Sequence, residues 1–103
     1  MPNYKGYDVY LEPSLYCHNQ RIAIAMKFSD PSEGELYGII TKNLVDAPIS
    51  AHNCAYLDTN NMAGIDTWLQ RNNYGELTGK TAQSGFCTYP EFRFKEELLC
   101  TLS

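Results

Sequence analysis

The chain is 103 residues long, the usual length of one domain, and its 44% hydrophobic and 19% charged residues are typical of a globular protein. Its formal net charge of −4 disfavours direct, general nucleic-acid binding, which needs clustered lysine and arginine. No apolar run approaches the roughly 20 residues that cross a bilayer, so we expect a single domain over residues 1–103 that makes no membrane contact.

In the first half of the chain, alternating apolar and polar residues predict three strands. Residues 7–12 and 21–28 alternate with period two, and residues 35–44 carry apolar side chains on both faces, which favours a central position in a sheet. The sequence Asp-Pro-Ser-Glu-Gly between the second and third strands is a turn signal. Strands joined by such short connections predict an antiparallel meander.

One main helix is predicted after a short strand at residues 54–57. Residues 58–61 offer the side chains that cap a helix N-terminus, and Ile65 and Leu69 follow at helical spacing. Gly75 supplies the residue type that ends a helix. We therefore expect the helix to pack its apolar face on the meander.

The last part of the chain predicts less regular structure. Residues 75–85 are polar and rich in glycine, which indicates a loop or a loose hairpin. Residues 86–94 are aromatic but contain Pro90, which predicts an edge strand or two short pieces, and residues 95–102 predict a short helix. The predicted fold class is α+β, with an antiparallel β-meander of about four to five strands, one main α-helix and a short C-terminal helix.

The start of the chain lacks the apolar segment of a signal peptide, so we expect a cytoplasmic protein. In that reducing compartment cysteine thiols usually stay free and pack as small apolar groups. This expectation covers all four cysteines, which are Cys17, Cys54, Cys87 and Cys100.

Residues 75–81 have some features of a phosphate-binding loop. Only three residues separate Gly75 from Gly79, whereas the motif needs four, and a predicted helix precedes the segment where the motif needs a strand. The sequence therefore predicts neither nucleotide binding nor a cofactor.

Two other kinds of site remain as alternatives. Cys17 and His18 with His52 and Cys54 are four residues of the types that bind zinc, although the usual spacing between cysteines is absent. Cys54 or Cys87 with a histidine would suit a cysteine-dependent enzyme, but no local signature accompanies them. We assign no catalytic residue and no metal ligand, and keep a small cysteine-dependent enzyme and a structural zinc-binding module as alternatives.

The eight tyrosines are many for a chain of this length. Tyr4, Tyr7, Tyr10 and Tyr16 cluster near the amino end, and Tyr89 lies among phenylalanines. Tyrosine is enriched where the ring packs against apolar groups and its hydroxyl contacts water. The tyrosines therefore either line the rim of a small core or form a surface patch that docks a protein.

Three segments carry a family resemblance. They are Tyr-Asp-Val-Tyr-Leu-Glu at residues 7–12, Cys-Ala-Tyr-Leu-Asp-Thr-Asn-Asn at residues 54–61 and Gly-Lys-Thr-Ala-Gln-Ser-Gly-Phe-Cys-Thr-Tyr-Pro at residues 79–90. Together they resemble a family of small bacterial proteins known only as a domain of unknown function. Members are typically carried on phages and conjugative elements, so the resemblance implies a mobile-element accessory protein, a class that often disarms host defences. It implies no catalytic residues.

The predicted function is that of a non-catalytic, protein-binding accessory protein of a phage or mobile element. Its expected partner is a host defence complex, which it would inhibit as an anti-CRISPR or anti-restriction protein, and it is expected to be a monomer or a homodimer. Exposed polar and aromatic loop residues often carry recognition. On that basis the predicted partner-binding residues are Asp58, Asn60, Asn61, Gln83, Ser84 and Tyr89.

Overall fold

The computed structural model describes residues 3–16, 21–29 and 36–99, and within these ranges the chain is mostly β. Strands take up 53% of the described residues and helices 13%. In chain order the elements are β1 (Asn3–Tyr4), β2 (Tyr7–Leu15), β3 (Ile22–Phe28), β4 (Leu36–Ile39), β5 (Thr41–Lys42), β6 (Cys54–Leu57), α1 (Ile65–Arg71), β7 (Gly75–Ser84), β8 (Cys87–Phe94) and α2 (Glu96–Leu99).

The strands form two four-stranded sheets in which all neighbours are antiparallel. Sheet 1 has the order β1-β2-β3-β4, and sheet 2 has the order β5-β6-β8-β7. The register of β2 on β3 places Val9 opposite Phe28. A tight turn joins β1 to β2, and its residues Lys5 and Gly6 both have positive φ, 50° and 92°, as a type I′ hairpin requires.

The predicted α+β fold is wrong, because the described residues form two antiparallel sheets with two short helices, instead of one meander covered by a main helix. β2, β3 and β4 are antiparallel neighbours in chain order, but they belong to only one of the two sheets. Sheet 2 includes residues 75–84, whose glycines predict a loop or a loose hairpin and which instead form the long strand β7. The alternation of inward and outward side chains along β7 is interrupted by a bulge between Leu77 and Thr81, where three residues of β7 face the single residue Glu91 of β8.

β8 lies inside sheet 2, whereas Pro90 predicts an edge strand. It pairs with β7 on one side and with β6 on the other. The pairing with β6 runs from Cys54 opposite Arg93 to Tyr56 opposite Glu91. Pro90 is one residue beyond that stretch, so its missing N–H interrupts no registered pair with β6.

The predicted third strand, residues 35–44, is divided at Ile40 into β4 and β5, which lie at sheet edges rather than centrally. The Ile40 N–H donates to the Ile24 carbonyl at 2.9 Å, and the Ile40 carbonyl accepts the Asp58 N–H at 2.9 Å. The Ile24 N–H donates to the Thr41 hydroxyl at 3.2 Å. Apolar groups occur on both faces of this segment because the chain passes there from one sheet to the other.

The predicted main helix is short, since α1 has seven residues. It begins after Gly64, which has a left-handed φ of 82° and provides no side-chain cap. Residues 58–61 form a separate turn, in which the Asn61 side-chain amide donates to Asp58 Oδ2 at 2.9 Å. Asn73, with φ 62°, takes the left-handed position after the helix.

The core lies between the two sheets and is closed by α1. Side chains at alternating strand positions face inward, and Trp68 packs against them while remaining partly exposed. The Trp68 indole N–H donates to the Asn3 carbonyl at 2.7 Å, which ties α1 to β1. The main buried members are Val9, Leu11, Ile22, Ile24, Met26, Ala55, Leu57, Ile65, Leu69, Phe92 and Phe94.

Aromatic rings pack edge to face beside β1. The Tyr4 ring lies 5.4 Å from the rings of both Tyr37 and Trp68, and the Tyr7 ring lies 5.3 Å from that of Phe28. Tyr4 is buried and Tyr7 is exposed. The amino-terminal tyrosines therefore both line the core and reach the surface.

We expect Tyr4→Phe to leave the free energy of unfolding unchanged or to raise it by up to about 1 kcal/mol, because the buried Tyr4 hydroxyl has no hydrogen-bond partner among the described residues. Urea denaturation measures the effect. The matched control is Tyr56→Phe, which removes a hydroxyl that donates to the Pro48 carbonyl and is expected to cost about 1 kcal/mol. A loss of more than 1 kcal/mol in Tyr4→Phe would mean that the hydroxyl has a partner.

Candidate functional site

A segment without strand or helix, residues 43–53, crosses the outer face of sheet 2, and we call it the strap. Tyr56 of β6 and Tyr89 of β8 point to this face, away from the main core. With Leu44 of the strap they form a second buried cluster, against which Ala47 and Ile49 of the strap also pack. The strap therefore gives sheet 2 an apolar cover of its own.

The hairpin between β7 and β8 ends in two residues, Gly85 and Phe86. Gly85 has a positive φ of 61° and Phe86 does not, which is the pattern of a type II′ turn. The register is fixed by Ser84 opposite Cys87. The Phe86 side chain is fully exposed, at 104% of its reference area. The apolar Phe86 ring is therefore exposed to solvent at the tip of a well-paired hairpin.

A groove of about 350 Å³ lies between the strap and the end of β7. Residues 42–47 form one side of it, and Gln83 and Ser84, next to the hairpin tip, form the other. Val45 on the strap side is 57% exposed, so an apolar side chain also faces solvent at this groove. Lys42 and Asp46 add one charge of each sign.

The six predicted site residues fall in different environments. Gln83 and Ser84 are exposed and line the groove. Asn60 and Asn61 are exposed elsewhere, and Asp58 is only 8% exposed because it holds the turn before α1.

Tyr89, the sixth, is 4% exposed and belongs to the cluster under the strap. Its placement makes it a packing residue, although the sequence predicts it to be an exposed aromatic loop residue that carries recognition. The fold brings Gln83 and Ser84 to the groove and does not place Asp58, Asn60 or Asn61 there.

The sequence does not predict Phe86 or Val45 to be partner-binding residues. The signal for Phe86 was the Ser-Gly-Phe-Cys sequence, because glycine at the first central position is typical of a two-residue hairpin turn, which exposes the next side chain. Without recognition of β7 as a strand, this signal had no hairpin to belong to. Nothing in the local sequence marks Val45 as exposed.

The Glu91 carboxylate, which pairs opposite Tyr56, is buried beneath the strap with no exposed surface. Its Oε2 accepts the Ser50 N–H at 2.8 Å, and its Oε1 accepts the Ser50 and Thr78 hydroxyls at 2.7 Å each. Burial by itself raises the pKa of Glu91, but these hydrogen bonds and the Lys80 charge outweigh it and hold the pKa below its ordinary value. Glu91 is therefore an ionised, fully bonded carboxylate.

The two cysteines named for the alternative enzyme differ in burial, since Cys54 is buried and Cys87 is partly exposed. Cys54 is fully buried, and both burial and the Glu91 carboxylate raise the pKa of its thiol, which disfavours the reactive thiolate. His52 is exposed and lies 2.8 Å from the carboxylate of Glu96, also exposed. Among the described residues, no group of three or more histidine, cysteine, aspartate or glutamate side chains is arranged to hold a metal ion. Cys17, His18 and Cys100 lie outside these ranges.

A second groove of about 350 Å³ runs along the other end of sheet 2. Its lining includes Asn53, Gly75 and the ion pair of Arg93 with Glu76 at 3.9 Å. None of its lining residues is an exposed large hydrophobic side chain. The groove beside Phe86 is therefore the better candidate for a docking surface.

Within residues 3–16, 21–29 and 36–99, no helix is long and apolar enough to cross a membrane. No curated protein and no solved structure matches the chain. A family described as Domain of unknown function (DUF4313) matches residues 10–102, which is nearly the whole sequence. The chain therefore belongs to the DUF4313 family.

Proposed function

We propose that this protein is a non-catalytic binding protein that inserts Phe86 into an apolar pocket of a partner protein. Its docking surface consists of Phe86, Gln83, Ser84 and Val45, at the hairpin tip and the adjoining groove. The observation that carries this proposal is the complete exposure of the Phe86 ring at the end of a paired hairpin. Aromatic side chains are enriched among the residues that dominate binding energy.

The energetics favour Phe86 as the anchor. Transferring a phenylalanine side chain from water into an apolar pocket contributes about 1.5–3 kcal/mol. The hairpin is already ordered by its pairing from Ala82 opposite Tyr89 to Ser84 opposite Cys87. A preordered hairpin loses little conformational entropy on binding, so most of that free energy is available for affinity.

The finer proposal concerns the partner. Residues 7–12, 54–61 and 79–90 resemble a family whose members are typically carried on phages and conjugative elements. That resemblance supports an accessory protein that acts in the bacterial cytoplasm against a host defence nuclease, of the CRISPR or restriction type. This support comes from the phages and conjugative elements that typically carry the family, and not from the geometry of the candidate site. Such nucleases are therefore the first partners to test.

The test is affinity capture with immobilised wild-type protein and with Phe86→Ala, followed by measurement of the dissociation constant of each captured partner. We expect Phe86→Ala to weaken binding about tenfold to a hundredfold, which corresponds to the loss of the buried ring. The free energy of unfolding should change by less than about 0.5 kcal/mol, because the ring contacts solvent in the free protein.

The control is Leu36→Ala, which removes an exposed apolar side chain from β4 in the other sheet. It should leave the affinity unchanged. The proposal fails if no protein binds at micromolar concentration, or if every captured partner binds Phe86→Ala as tightly as the wild type. Inhibition of a purified defence nuclease, lost in Phe86→Ala and kept in Leu36→Ala, would support the finer proposal.

A further inference from the structure

One side of the docking groove is formed by the strap. At the end of the strap the Asn53 carbonyl accepts the Phe94 N–H of β8 at 2.9 Å, and between residues 44 and 50 side-chain hydrogen bonds anchor the strap at three positions. The Arg21 guanidinium donates to the Leu44 carbonyl at 2.9 Å. The Tyr56 hydroxyl donates to the Pro48 carbonyl, and the Ser50 N–H and hydroxyl donate to Glu91. Val45, the exposed apolar residue of the groove, lies between the first two anchors.

The second side of the groove is the end of β7, and this strand is fixed by the same carboxylate. The β7 bulge places the Thr78 hydroxyl 2.7 Å from Glu91 Oε1. The Lys80 N–H then donates to the Thr78 hydroxyl at 3.2 Å, and the Lys80 ammonium group donates to the Pro48 carbonyl at 2.9 Å. The bulge therefore reaches the strap twice, once through Glu91 and once directly.

Among the described residues of this network, only Glu91 uses a single group, its carboxylate, to bind both the strap and the bulge. Its two oxygens receive three donors, and all of them belong to Ser50 or Thr78. Removing a fully buried carboxylate with these three hydrogen bonds costs stability, because each donor would lose its acceptor and no water molecule would replace it.

We infer that Glu91 is a positioning residue, which fixes the strap against the β7 bulge and so sets the shape of the groove beside Phe86. This role rests on the proposed function, since it assigns Glu91 to the docking surface without placing it in contact with the partner. Glu91 would then determine how well the groove is preorganised, while Phe86 supplies the anchor.

Hydrogen exchange of Glu91→Gln tests the role and needs no partner. Glutamine keeps the shape of the side chain but offers one acceptor oxygen, and its amide nitrogen would face a donor. We expect the Ala47 and Ser50 amides of the strap, which donate to the Leu44 carbonyl and to Glu91, to exchange at least tenfold faster at pH 7. The amide of Ile24 in β3 should be unchanged. The methyl signals of Val45 should also shift in the NMR spectrum.

Glu76→Gln is the matched control, because Glu76 is an exposed carboxylate of β7 outside the network, and it should leave the strap amides unchanged. If Glu91→Gln does not fold, Ser50→Ala and Thr78→Val each remove one donor and should accelerate strap exchange to a smaller extent. Unchanged strap exchange in the folded variants, or equal acceleration in β3, contradicts the positioning role. A partner whose binding ignores Phe86 would instead contradict the proposed function and leave the exchange result standing.

Discussion

Gly75→Ala is expected to lower the free energy of unfolding by about 3 kcal/mol or more. Losses of this size are typical of substitutions that force the backbone to move. Gly75 begins β7 with φ 153°, and a Cβ atom there would lie 1.9 Å from the Arg93 carbonyl oxygen and 2.8 Å from the Phe92 ring. The nearest obstacle is backbone of the paired strand β8, so relief requires β7 and β8 to separate. Urea denaturation measures the loss.

The control for this substitution is Gly79→Ala in the β7 bulge. Gly79 has φ 90°, and a Cβ atom there would meet nothing within 4 Å. Its cost should therefore be only that of the backbone conformation, about 1–2 kcal/mol. If the two variants lose the same free energy of unfolding, the close approach of Gly75 to Arg93 is not what makes glycine necessary at that position.

Gly75 also explains why β7 was not predicted as a long strand of sheet 2. In the sequence Gly75 and Gly79 indicate a loop, because each frees the backbone. In the fold Gly75 allows close approach to β8, and Gly79 belongs to the bulge opposite Glu91. Both glycines serve strand pairing, but the partner strand that gives them this role is not visible in the local pattern.

Local alternation identified β3, whose pairing with β2 is uninterrupted. The strict pattern at residues 21–28 corresponds to β3, which pairs along its length with β2. The pattern failed where tertiary contacts override it. Ile40 carries the chain between sheets, and Gly64 shortens the helix that the spacing of Ile65 and Leu69 predicts.

The candidate site was predictable only in part, for a related reason. Gln83 and Ser84 are exposed polar residues that the sequence places in a loop; they lie at the end of β7, and they do line the groove. Tyr89 is an aromatic residue, a type that often anchors protein contacts at a surface, but the strap covers it. Whether an aromatic side chain is exposed depends on what crosses its face, and the strap lies some forty residues away in sequence from Tyr89.

Glu91→Ala is expected to lower the free energy of unfolding by about 3 kcal/mol or more, because it leaves the Ser50 N–H and the Ser50 and Thr78 hydroxyls without their acceptor in a buried site. The loss should appear in urea denaturation at pH 7. Glu76→Ala, at an exposed position of the neighbouring strand, should cost less than about 0.5 kcal/mol. Equal losses would mean that the bonds to Glu91 do not stabilise the fold.

The pH dependence of stability should identify the ionised form of Glu91 as the stabilising one. The pKa of Glu91 is lower in the folded protein than the ordinary glutamate value of about 4.3, so unfolding binds a proton in this range. Its contribution is fully present above the unfolded pKa and is lost as the pH falls through the lower, folded pKa. Between neutral pH and acid, wild-type protein should therefore lose more free energy of unfolding than Glu91→Gln does. Parallel curves for the two proteins would show that Glu91 does not ionise in the way its three donors require.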